Sequence, residues 1–125
     1  MKKTILLLLF LFFLTSVIGQ KPTKITIDTS KINNVKIIKS SGKPFKFLTK
    51  QLTKKQIFDF CIQWNKSKNL GADKFAGNYT IDIIGKDRTE RRFTVEKNKI
   101  QESGNWQTFD FVDKKYFDTL WKGAK

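Results

Sequence analysis

Residues 53–68 read TKKQIFDFCIQWNKSK, and this stretch decides the fold class. Thr53 and Gln56 form a capping box: the threonine hydroxyl can accept from the Gln56 amide, and the glutamine side chain can reach back to the Thr53 amide. Leu52 and Ile57 stand at the two positions of a hydrophobic staple. Ile57, Phe60, Cys61 and Trp64 recur at helical spacing, with Phe58 and Ile62 widening the stripe. Lys66 and Lys68 suit the negative end of the helix dipole, and Gly71 suits its stop. The pattern predicts one long amphipathic helix from about Lys54 to Lys68, whose apolar face needs a second layer.

That layer is legible on both sides. Downstream, Tyr79, Ile81 and Ile83 alternate with polar residues, residues 85–88 make a turn, and Arg91, Phe93 and Val95 alternate back as a hairpin. Lys99 to Glu102 reads as a short strand, residues 103–105 as a turn, and Trp106 to Phe111 as a return strand. Asp113 reads as an N-cap, with Val112 and Phe117 as a second staple. A short final helix then buries Tyr116, Phe117, Leu120 and Trp121. Upstream, Ile25 and Ile27 alternate as a short strand, Val35 and Ile37 begin another, and Lys46 to Thr49 suggests a third. The expectation is a single α+β domain over residues 20–125: an antiparallel sheet of about four to six strands, one long central helix and a short C-terminal helix. The layout resembles the curved sheet around a helix of cystatin-like and NTF2-like domains, a likeness of arrangement without a shared motif. The strings QIFDF (56–60) and QTFDF (107–111) fall in a helix and a strand respectively, so their match is chance.

Residues 1–19 have a different character. Lys2 and Lys3 form a positive start, Ile5 to Leu14 is an unbroken apolar run, and Val17 and Gly19 occupy the small-residue positions of a cleavage site. This is the pattern of a signal peptide, and it predicts export to a periplasm or the exterior. The uncharged stretch is at the short limit for a membrane span, so no stable span is expected once the signal is removed. The sequons at Asn65 and Asn78 matter only in a eukaryotic secretory pathway, and the compact Lys-Lys start points to a bacterial one.

The 125-residue chain carries 25 Lys and Arg against 11 Asp and Glu, a formal charge of +14. The excess is regional. Residues 20–55 hold ten lysines and one acid, Asp28, so that about a third of the exported chain, at its N-terminal end, is Lys-rich. Lys36, Lys39, Lys43, Lys46 and Lys50 recur at steps of three and four, but Gly42 and Pro44 break a helix there, so they span a strand, a turn and a second extended piece. Phe45 and Phe47 interleave with Lys46. The bland reading is a half-buried strand with lysines facing water; the sharper one is a cationic and aromatic surface for a polyanion. Trp106, after a turn, is a third exposed aromatic candidate.

The absence of His removes His-activated nucleophiles, His metal ligands and His proton shuttles. The single Cys61 excludes an intramolecular disulfide and any multi-Cys zinc site. Placed mid-helix on the apolar face, it reads as a buried structural thiol, with pairing between chains as the alternative. No phosphate-binding loop, dinucleotide fingerprint, EF-hand loop or serine elbow is present. The carboxylates show no spacing that selects a catalytic pair, and Asp82 and Arg92 are expected to face each other across the hairpin.

No cofactor and no metal are therefore expected. The favoured reading is an exported, non-catalytic binding module, inhibitor-like in kind, with a basic surface for an acidic protein or an anionic envelope or extracellular polymer. The candidate residues are Lys36, Lys39, Lys43, Phe45, Lys46, Phe47, Lys50 and Trp106. Nucleic acid would be held only non-specifically. Two alternatives stand beside it: a structural subunit pairing through an exposed sheet edge, and a His-free hydrolase using carboxylates. The sequence leaves the oligomeric state open.

Overall fold

The capping box forms as the sequence dictates. In the structure, a computed structural model that describes residues 24–74 and 76–125, the Thr53 hydroxyl accepts from the Gln56 amide at 3.2 Å and Gln56 Oε1 accepts from the Thr53 amide at 3.0 Å. They open α1 (Lys54–Lys66), which buries Ile57, Phe60, Cys61 and Trp64. Both staple residues, Leu52 and Ile57, are buried beside it. The signal-peptide reading of residues 1–19 falls outside the described residues.

α1 lies across one antiparallel sheet of seven strands. In chain order these are β1 (Ile32–Ser40), β2 (Phe47–Gln51), β3 (Lys68–Ala72), β4 (Tyr79–Gly85), β5 (Glu90–Glu96), β6 (Lys99–Glu102) and β7 (Gln107–Asp110). Their order in the sheet is β2-β1-β4-β5-β6-β7-β3. The helix thus leaves one border strand and enters the other. Laid flat, seven strands would span about 29 Å, whereas thirteen helical residues reach about 20 Å. Short linkers and the natural twist of the sheet make up the difference, so the sheet folds over the helix.

The face toward α1 carries Val35, Ile37, Ile81, Ile83, Phe93, Val95, Ile100 and Phe109, all buried. Trp64 meets Phe93 and Phe109 edge-on at ring distances of 4.9 and 5.1 Å, and Phe60 meets Phe93 at 6.1 Å. The second helix, α2 (Tyr116–Gly123), closes one end by stacking Phe117 on Phe111 at 5.0 Å. The domain is α+β, as expected, with more strands than the four to six read from sequence. Its central helix is thirteen residues long, shorter than the reading.

Four local differences have physical causes. Residues 24–28 form no strand. Their backbone is instead held by side chains: Trp64 Nε1 and Arg91 Nη2 donate to the Ile25 carbonyl, Arg91 Nη1 donates to that of Thr26, and Asn65 bonds both the amide and the carbonyl of Ile27. α1 ends at Lys66 rather than Lys68, and Gly71 sits in β3 at a register shift, with φ of 91°. The end of α1 is closed by the Lys24 ammonium, which donates to the carbonyls of Trp64, Asn65 and Ser67 at 2.9, 3.0 and 2.9 Å. Finally, Asp113 caps a turn by accepting from the Lys115 amide at 2.9 Å. That turn delays α2 to Tyr116 and leaves Val112 exposed, so the second staple does not form.

Candidate functional site

The lysine-rich hairpin is built from β1, β2 and the turn between them. The Ser41 amide and hydroxyl both donate to the Lys46 carbonyl, at 3.1 and 2.8 Å, and the Lys46 amide donates to the Lys43 carbonyl at 3.3 Å. Pro44 follows Lys43, and Phe45 comes next with φ of 60°. Proline second and a left-handed residue third is the type II pattern, which favours Gly or Asn where this chain has Phe. Phe45 is 97% exposed and Phe47 67%, with the exposed Lys43 and Lys46 beside them. Among the described residues neither lysine is in an ion pair.

The half-buried strand expected here is inverted. The ladder pairs Ile37 with Lys50 and Lys39 with Leu48, so Lys50 and Lys39 share the face of the buried Ile37. Lys36 pairs with Gln51 and Ser40 with Phe47 on the opposite face. Phe47 is therefore exposed, and Lys50 is the one half-buried residue of β2. Lys50 Nζ donates to the Trp121 carbonyl at 3.1 Å and sits 4.4 Å from that ring; Lys39 Nζ lies 5.9 Å from the Tyr79 and Trp121 rings. Lys50 thus ties β2 to α2, and the exposed Lys39 lies beside the same indole. Trp106 is 70% exposed, but it precedes β7, which β4, β5 and β6 separate from β1. The structure brings together Lys43, Phe45, Lys46 and Phe47, with Lys36 farther along the same face as Phe47, and leaves Lys39, Lys50 and Trp106 elsewhere.

A second basic concavity escaped the sequence reading. Lys39, Lys97 and Lys114 line a polar pocket of about 520 Å³ with Ser40, Asn78 and Asp118. They come from β1, the β5–β6 turn and the approach to α2, so no linear spacing signals them. Asp118 accepts from the Tyr79 hydroxyl at 2.6 Å; burial first, and then this carboxylate, push the Tyr79 phenol up to about 12.

A larger groove of about 610 Å³ runs between the helices and holds two carboxylates, Asp59 and Asp113. Both already have partners: Asp59 accepts from the Tyr116 hydroxyl at 2.7 Å and Asp113 from the Lys115 amide. Burial, then Asp59, raise the Tyr116 phenol far above its usual range. The two arginines that could assist a carboxylate are themselves paired. Arg91 bonds Glu102 in a fork at 2.7 and 2.8 Å, and Arg92 bonds Asp82 at 2.7 and 2.9 Å across the hairpin, as its register predicts. Cys61 is 2% exposed, and burial pushes its thiol up.

The acidic side chains are thus largely engaged inside the molecule, and Lys43 and Lys46 at the hairpin turn are in no ion pair among the described residues. Among the described residues no helix is long and apolar enough to cross a membrane. Compared with known proteins, the chain matches no family model, no curated protein and no solved structure.

Proposed function

We propose that the protein is an exported, non-catalytic binding module that docks on an anionic partner, an acidic protein or a negatively charged envelope polymer, through the end of its β1–β2 hairpin. The observation that carries this reading is the hairpin end itself: Lys43 and Lys46, without ion-pair partners among the described residues, beside the exposed rings of Phe45 and Phe47. A surface of this kind steers anions by charge and holds them by apolar and cation contacts. The engaged state of Asp59, Asp113, Glu102 and Asp82 supports a binding role over carboxylate catalysis.

The test is a titration of polyglutamate and of inorganic polyphosphate against the exported protein at two salt concentrations. Affinity should fall steeply with salt, and Lys36→Glu, Lys43→Glu and Lys46→Glu together should abolish it. Binding that ignores salt, or survives the triple variant, overturns the reading. The two border strands, β2 and β3, favour a second one, in which copies or partners add strands there. A strict monomer at high concentration argues against self-pairing.

A further inference from the structure

We propose that the partner of the hairpin end is an anionic lipid membrane, with Phe45 and Phe47 entering the interface and Lys43 and Lys46 resting on lipid phosphates. This rests on the anion-binding reading of the hairpin end and puts a lipid surface in place of the protein or polymer.

Three observations lead there. First, Phe45 and Phe47 put two exposed aromatic rings within three residues, at 97% and 67% exposure. Second, the chain holds Phe45 at a φ of 60°, a conformation that disfavours a bulky side chain, and this side chain packs against nothing in the fold to offset it. Third, the hairpin itself carries charge of one sign: β1, β2 and the turn between them hold Lys36, Lys39, Lys43, Lys46 and Lys50 and no acid. A soluble polyanion would engage the lysines and leave the phenylalanines in water. An acidic protein would have to supply a pocket for a protruding tip. A membrane with anionic headgroups accepts both parts at once, because its phosphates lie directly over apolar chains. Neither contribution suffices alone, as peripheral binding generally takes two signals.

The experiment uses the exported protein, its N terminus fixed by mass spectrometry, in sedimentation with phosphatidylglycerol–phosphatidylcholine vesicles and with phosphatidylcholine alone. Phe45→Asn with Phe47→Thr removes the rings while suiting the turn and the strand. Vesicle affinity should fall by about tenfold per ring, with polyglutamate affinity unchanged. Lys43→Gln with Lys46→Gln should lose about fivefold per lysine, and neutral vesicles should bind weakly. Circular dichroism confirms that the variants fold. Equal vesicle binding by the phenylalanine variant overturns the proposal. Loss of polyglutamate binding by that variant also overturns it, in favour of a protein partner. Polyglutamate binding without vesicle binding removes the membrane and leaves the anion-binding reading standing. Binding to neither removes both.

Discussion

Phe45→Gly should make the protein more stable. Phe45 occupies the left-handed region at φ of 60° while its ring is 97% exposed. An L-residue there costs about 1–2 kcal/mol, which glycine does not pay. Glycine also loosens the unfolded chain, returning about 0.4–1 kcal/mol of that gain. The ring, being in water, contributes little to offset either term. The net expectation is a gain of about 0.5–1 kcal/mol, or a rise in Tm of about 2–8 °C for a domain of this size. Thermal and urea melts followed by circular dichroism measure it. Phe45→Ala is the control: alanine keeps the strained backbone, so it should melt near the parent, and the gap between the two variants isolates the backbone contribution. A lowered Tm for Phe45→Gly would refute the reasoning, because it would mean that the ring packs on the fold. If the ring is kept for binding, the same variant should be the more stable and the weaker binder.

Lys24→Met keeps an apolar stem but removes the ammonium that closes α1, and should cost about 1–3 kcal/mol by urea denaturation; unchanged stability would show that those carbonyl contacts contribute nothing. The tyrosines set an alkaline limit. Tyr79, raised to about 12, and Tyr116, raised further, stay protonated when folded, whereas unfolded phenols ionise near pH 10. The unfolded state then holds fewer protons, so stability falls as pH climbs from about 10 toward 12. Tyr79→Phe with Tyr116→Phe should flatten that decline in pH-dependent melts, and an identical slope would count against it. Cys61 should resist a thiol reagent in the native protein and react at the rate of unfolding; rapid native labelling would contradict its burial.

The elements legible in the sequence are those whose cause is local. The Thr53–Gln56 box, the Leu52–Ile57 staple and the Asp82–Arg92 pair involve residues close in sequence or joined by a short turn, and the structure has all three. β3 was missed because Lys68 to Ala72 has no alternation and includes Gly71; it is a strand because the outer edge of β7 supplies its partners. The false strand at Ile25 to Asp28 shows the reverse. Its alternation is real, but Trp64, Asn65 and Arg91 take the backbone groups that a ladder would need. At the candidate site the residue types were visible and their faces were not. The left-handed Phe45 resets the alternation entering β2, which turns Phe47 outward and Lys50 inward. The Lys97–Lys114 pocket depends on three separate elements meeting and leaves no linear trace.

The border-to-border course of α1 bears on how fast the domain can assemble. β1 finds its inner neighbour only in β4, and β3 finds its own only in β7, so both joins wait for the second half of the chain. Sheets that depend on such distant pairings close slowly. A chain cut before β7 would therefore leave β3 with no neighbour and the sheet without one of its borders.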